Sequence, residues 1–123
     1  MTIDEILKIE DTTEKIIALG EFCSSQTNMT ETEKVINSVE YFENDVMNGG
    51  FSQYFENKSE DERNELLVNL EKIGAKKSKE LFEKFLKDQS QGEELDEEFF
   101  KYEDNIQNLV VKYAEEHISD FSK

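Results

Sequence analysis

The chain contains no proline, so none of its helical patterns is broken by a ring clash or a missing N–H donor. Its five glycines sit mostly where a periodic pattern ends. A single cysteine, Cys23, excludes an intrachain disulfide and zinc-ribbon spacing, and its neighbours Ile17, Leu19 and Phe22 mark it as a small buried apolar residue. No apolar run reaches the roughly 18 residues of a membrane span, and no signal-peptide core opens the chain. The expected setting is therefore a reducing cytoplasm. Basic residues are scarce: 14 Lys and Arg stand against 30 Asp and Glu, a net charge of −16. Such a field repels nucleic acid and anionic membrane and attracts basic proteins. The plainer alternative is that acidity only keeps a small domain soluble.

The 123 residues suit one domain, residues 1–123, and nine Phe and four Tyr can build its core although only 36% of the chain is hydrophobic. Strand-like alternation is absent, and apolar residues recur at helical spacing. The fold class predicted is all-α, a compact bundle of about six helices with a central Gly-Gly corner. Thr2-x-x-Glu5 and Thr30-x-x-Glu33 read as capping boxes, Thr12 or Thr13 as the cap of a second helix, and Ser59 as the cap of another. Val35, Val39, Phe42 and Val46 share one helix face, with Glu31, Glu33, Glu40, Glu43 and Asp45 opposite. Asn48-Gly49-Gly50-Phe51-Ser52-Gln53-Tyr54-Phe55 ends that helix with two glycines and three aromatics, which reads as a buried corner. Leu66, Leu67, Leu70 and Ile73 line the next helix, stopped by Gly74, and Leu81, Phe82, Phe85 and Leu86 line residues 75–88. Ser90–Glu94 reads as a loop. The last stripe, Leu95, Phe99, Tyr102, Ile106, Leu109 and Tyr113, is either one helix or two with a break near Tyr102–Asn105.

Chemistry-bearing patterns are missing. His117 is the only histidine and reads as an exposed helix-end residue; Glu116 and Asp120 near it do not make a metal set. No Glu-x-x-His pair, calcium-loop spacing or phosphate-binding Gly-Lys-Ser/Thr run occurs. Carboxylate pairs such as Glu40/Glu43 and Asp61/Glu65 arise by chance in so acidic a chain. The reading is a non-enzymatic protein without catalytic, metal or cofactor residues. Basic residues cluster only at Lys72, Lys76, Lys77, Lys79, Lys84 and Lys87, a solvated face or a contact for an acidic region, including that of a second copy. Residues 1–65 carry 16 acids and 5 bases, 66–92 carry 4 and 6, and 93–123 carry 10 and 3.

Glu43-x-x-x-x-Asn48-Gly49-Gly50-Phe51-x-Gln53-Tyr54-Phe55-x-Asn57 resembles the signature of a bacterial family whose best-known member is an acidic DNA mimic. Leu70, Ile73, Gly74 and Ala75 match a following Leu-x-x-Ile-Gly-Ala. Phe99 with Tyr102, and Tyr113 with His117, match later and less specific elements. The resemblance covers about residues 30–118. It implies an all-α fold, a homodimer, and binding to a basic DNA-binding protein by imitation of the duplex, with Asn48, Gly49, Gly50, Phe51, Gln53, Tyr54 and Phe55 as a structural motif.

Charge density limits the mimic idea. B-DNA carries one charge per ~1.7 Å of axis, so sixteen charges equal roughly 27 Å of duplex. A domain of this length has a radius of gyration of about 14 Å, so the excess must lie on one face. The partner-binding candidates are Glu33, Glu40, Glu43 and Asp45, with Asp61, Glu62 and Glu65, placed on solvent faces at helical spacing. The competing reading is an immunity or regulatory interaction protein that uses an acidic face without DNA mimicry.

Overall fold

The computed structural model describes residues 1–123 as seven α-helices with no strand. They are α1 (Ile3–Leu7), α2 (Thr12–Ser24), α3 (Glu31–Asn57), α4 (Glu60–Ile73), α5 (Lys76–Lys87), α6 (Gly92–Phe100) and α7 (Ile106–Glu116), with 3-10 turns at Gln89–Gln91 and Ile118–Asp120. The three Ser/Thr-x-x-Glu starts form capping boxes at Thr2, Thr30 and Ser59. Asp11, not Thr12 or Thr13, caps α2: its side chain accepts from the Glu14 N–H at 2.9 Å. The segment read as a loop at Ser90–Glu94 is instead a 3-10 turn running into α6, because Asp88 accepts from the Ser90 N–H at 3.1 Å and starts the turn.

Helix α3 is the axis of the molecule, with α2, α4, α6 and α7 packed against it. It is bent at Gly49–Gly50 into two arms. Gly50 has φ +79° and ψ −179°, a region that essentially only glycine occupies. The bend carries the second arm back so that Phe51 and Tyr54 meet Phe42 of the first arm, at ring separations of 6.0 and 5.0 Å. Phe82 and Phe85 of α5 and Phe99 of α6 complete the cluster, each within 6 Å of the Phe51 ring. Aromatic contacts of this kind add about 0.5–1.5 kcal/mol per pair beyond area burial.

The other motif residues hold the bend. The Phe51 N–H, orphaned at the start of the second arm, donates to Asp96 Oδ1 of α6 at 2.9 Å. Gln53 Nε2 donates to Asp45 Oδ1 at 2.8 Å and Asn57 Nδ2 to Asp45 Oδ2 at 3.1 Å, clamping the two arms together. Asn48 Nδ2 donates to Gln53 Oε1 at 3.2 Å. Phe55 is half-buried under Arg63, whose guanidinium lies 3.9 Å from its ring centre.

The last stripe is two helices, α6 and α7, divided where Tyr102 (φ +57°) and Asn105 (φ +45°) take left-handed angles. The intervening turn places Asp104 against α5, where it accepts from the Lys77 and Ser78 N–H groups at 3.3 and 2.6 Å. Ala75, at the start of α5, offers no side-chain cap, so this distant carboxylate satisfies its orphan donors. Residues 118–122 latch onto the start of α3. Asp120 accepts from the Thr32 N–H at 3.1 Å, Glu33 accepts from the Ser122 N–H and Oγ at 2.7 and 2.8 Å, and buried Phe121 meets Phe22 edge-on at 6.0 Å. Ending the chain at His117 should therefore lower stability by about 2–4 kcal/mol, mostly through loss of the buried phenyl ring. Thermal melts of the two lengths check this; equal melting temperatures would show that the latch is decorative.

Candidate protein-binding surface

Four of the seven predicted partner-binding carboxylates are not free on a solvent face. Glu33 is fully buried, fixed by the Thr30 capping box and by Ser122. Glu43 is 6% exposed and accepts a short hydrogen bond from the Tyr102 hydroxyl. That hydroxyl accepts in turn from the Gln107 N–H at 3.0 Å. Asp45 is half-buried and tied to Gln53 and Asn57. Glu40 is half-buried and faces α2. The reason is topological: four helices surround α3, so the side opposite Val35, Val39, Phe42 and Val46 is covered as well. The capping box was itself a signal, because a glutamate reaching back to its own N-cap is not free for a partner.

The Glu43–Tyr102 pair joins α3 to the α6–α7 turn. Burial pushes the Glu43 carboxyl upward against the opposing pull of its hydrogen bonds, and the same contact, with burial first, raises the tyrosine. Tyr102→Phe leaves a buried carboxylate without its donor and should cost about 1–3 kcal/mol. A chemical denaturation midpoint unchanged by Tyr102→Phe would show that the bond contributes nothing net.

Asp61, Glu62 and Glu65 are exposed on α4, as predicted for the solvent face. Glu62 is partly engaged: it caps the Ser59 N–H at 3.0 Å and meets Lys58 Nζ at 3.4 Å, contacts that hold its carboxyl below the ordinary range. Asp61 and Glu65, one turn apart, form no ion pair. Glu56 and Glu60 are exposed close by in sequence.

A second run was missed. Glu93, Glu94 and Glu97 of α6 are exposed and outside every ion pair. The signal was present: Leu95 and Phe99, four apart and buried, fix the inward face of α6 and leave positions 93, 94 and 97 away from it. Pairs at i,i+3 and i,i+4 stand about 5–6 Å apart between Cβ atoms.

The lysine cluster is partly neutralised by the protein's own acids. Lys72 meets Glu31 at 3.2 Å, Lys79 meets Glu71 at 3.7 Å and Lys84 meets Glu80 at 3.0 Å. The apolar face of α5, Leu81, Phe82 and Phe85, lies in the core, and so do Leu95, Phe99, Ile106 and Val110 of α6 and α7. Few apolar residues of these helices are thus left outward for contact with a second copy.

Cys23 is fully buried, and burial followed by the nearby Glu40 and Glu33 pushes its thiol up to about 12. It is an inert core residue. His117 ends α7 but is half-buried rather than exposed, stacked on Tyr113 at 4.0 Å with Nδ1 2.7 Å from the Tyr113 carbonyl oxygen. No three His, Cys, Asp or Glu side chains converge as a metal site, and no helix is long and apolar enough to cross a membrane.

Between α2 and α3 lies an open cleft of about 390 Å³. Ile16, Ile17 and Tyr41 give it apolar walls, Glu21, Glu40 and Glu43 give it carboxylates, and no lysine or arginine lines it. Glu40 reaches across to Gly20, where an added Cβ would stand 2.3 Å from Oε2. Its Oε1 is enclosed and accepts no hydrogen bond from the protein. Burial, and then the charge of Glu43, pushes the Glu40 carboxyl up to about 8.

A family model described as DMP19-like protein matches residues 27–117, about three quarters of the chain. No curated protein and no solved structure matches.

Proposed function

Because the chain belongs to the DMP19-like family, we propose that it is a non-enzymatic acidic protein-binding domain that acts as a DNA mimic and sequesters a basic DNA-binding protein in the cytoplasm. The family name stands for DNA mimic protein 19, and the family match is the observation that carries this reading. The exposed, unpaired carboxylates of α4 and α6 support it, since they supply helical rows of negative charge on a chain of net charge −16. In this reading Asp61 and Glu65, joined by Glu93, Glu94 and Glu97, stand in for phosphates, while Glu62 stays on its cap and its Lys58 pair. A homodimer would double that footprint to match a two-fold regulator. Exposed Val68 and Phe100, 54% and 48% accessible, are outward apolar groups still open to such a contact. The second reading, an immunity or regulatory partner using the same acidic face, rests on the charge alone.

The deciding experiment is a gel shift with a partner captured from the source cell. The mimic reading expects the partner to bind DNA or this protein but not both, with affinity falling steeply between 50 and about 200 mM salt as surface charges are screened. A ternary complex of partner, DNA and this protein would overturn it and leave the generic acidic-interaction reading. Lysine at Asp61, Glu65, Glu94 and Glu97 together should weaken capture at least tenfold, while circular dichroism stays that of the parent. Light scattering at high micromolar concentration reads the assembly, and a mass of 14.4 kDa would remove the dimer.

A further inference from the structure

We propose that the α2–α3 cleft is an acceptor for one basic side chain, an arginine or lysine of the partner protein, with the Glu40 carboxylate as its counter-ion. This rests on the reading of the chain as a binder of basic proteins, and it assigns a specific pocket to that binding.

Three observations carry it. The first is chemical: the enclosed Glu40 Oε1 takes no hydrogen bond from the protein, although Glu33, Glu43 and Asp45 of the same helix are all engaged. A buried acceptor left without a donor is costly, so a cationic donor that draws this carboxylate toward itself relieves that cost. The second is electrostatic. Glu21, Glu40 and Glu43 line one cleft without a lysine or arginine among the lining residues. Lys58 stands over the Tyr41 ring at 3.8 Å, but it is paired with Glu62. The third is shape. Ile16, Ile17 and Tyr41 offer apolar walls for an alkyl stem, with Ile17 56% and Tyr41 41% exposed, while Glu40 and Glu43 are less exposed than those two. A long aliphatic stem with a cationic tip matches that order, and a guanidinium can address a carboxylate with two parallel hydrogen bonds. A volume of about 390 Å³ leaves room for one such side chain.

Gly20 belongs to the device. Its lack of a Cβ is what lets Glu40 lie across the floor of the cleft. An alanine there would meet the far end of a flexible side chain, so the carboxylate would swing outward while the backbone stayed in place.

The test needs no identified partner. n-Butylguanidinium and n-butylammonium are titrated into 15N-labelled protein and followed by amide shifts. Saturable shifts are expected at Gly20, Asn37, Glu40 and Asn44, with millimolar affinity and guanidinium the tighter of the two. Glu40→Gln should weaken binding at least fivefold, and Gly20→Ala should do the same by displacing the carboxylate. Glu83→Gln, an exposed carboxylate of α5, should leave it unchanged. Unsaturable shifts spread over the acidic surface, or equal binding by Glu40→Gln and the parent, would overturn the assignment. Because the titration omits the partner, its failure removes only the cleft. Failure of DNA competition removes the mimic reading and leaves the titration result standing.

Discussion

Replacing Gly50 with valine is expected to lower stability by about 3–5 kcal/mol, the largest effect of any single substitution outside the aromatic cluster. Two independent penalties combine. The backbone angles, φ +79° and ψ −179°, cost a side-chain-bearing residue on the order of 1–3 kcal/mol, and a β-branched residue the upper end. A Cβ at this position would also stand 2.3 Å from Asp96 Oδ2, so the carboxylate that caps the Phe51 N–H must move away. Losing such a cap costs about 1 kcal/mol more. Gly49 makes an informative contrast. Its φ of −148° is open to other residues, and an added Cβ would meet only the Gln53 side chain, from its movable amide back to Cβ at 3.0 Å. Gly49→Ala should cost about 1 kcal/mol or less, by disturbing the Gln53–Asp45 clamp. At roughly 4 °C per kcal/mol, thermal melts separate the two easily. Similar melting temperatures for Gly50→Val and the parent would remove the account of the corner. A double-mutant cycle adds detail: Gly50→Ala with Asp96→Ala should cost less than the sum of the single changes, because the first alanine already evicts the carboxylate.

The fold was readable because its determinants are local. Val35, Val39, Phe42 and Val46 all reach zero exposure, as their spacing predicts, and Gly74 ends α4 with φ +82°. The Gly-Gly corner was legible from two glycines followed by apolar aromatics, since that combination suits neither a helix interior nor a solvated loop. What was not legible is where the acids point. Asp96, Asp104 and Asp120 cap helix donors that lie 45, 26 and 88 residues away in sequence, and Glu43 reaches Tyr102 across 59. A carboxylate that caps a distant helix has the same neighbours in sequence as one facing water. The same blindness explains the misplaced acidic face: periodicity shows that α3 has a face opposite its valines, but only topology shows α2 and α7 lying upon it. On α6, by contrast, the outward Glu93, Glu94 and Glu97 could have been read from the Leu95/Phe99 spacing alone.

This redistribution changes the charge argument as well as the residue list. A duplex mimic needs free carboxylates, whereas the acids at positions 33, 43, 45, 96 and 104 act inside the structure, on backbone N–H groups, side-chain amides and the Tyr102 hydroxyl. Reversing Glu40, Glu43 and Asp45 together, a natural test from sequence, is therefore expected to unfold the protein rather than to report on binding. The exposed acids of α4 and α6 are the positions at which a charge change can be read as a change in recognition.

Glu40 provides the second large effect, and its sign is opposite to that of an ordinary surface carboxylate. In the folded protein its carboxyl is pushed up to about 8 by burial and then by Glu43, against an ordinary value of 4.5. Glu21 at the cleft mouth, Cys23 behind it on α2 and Glu43 on α3 add no positive charge to offset this, and Gln107 of α7 is neutral. Between those two values the folded state holds a proton that the unfolded chain has released. Unfolding then releases a proton, so stability falls as pH rises from about 5 to about 8 and levels off above. Because the cleft is open to water, the loss is discounted to about 3 kcal/mol rather than the full shift at 1.36 kcal/mol per pH unit. Glu43, also raised, bends the curve the same way. The carboxylates held low by caps and ion pairs, among them Glu5, Glu62, Glu98 and Asp120, act below this window, where their protonation removes stability as pH falls. The profile should therefore peak near pH 5 and decline on both sides. Glu40→Gln keeps the shape of the protonated acid without its ionisation. It should match the parent at pH 5 and exceed it by about 3 kcal/mol, near 12 °C in melting temperature, at pH 9. Parallel profiles for parent and Glu40→Gln from pH 5 to 9 would show that Glu40 ionises freely in the folded protein. A native protein that retains such a group gives up stability at neutral pH, and an incoming cationic side chain, which favours the ionised carboxylate and releases its proton, returns it on binding.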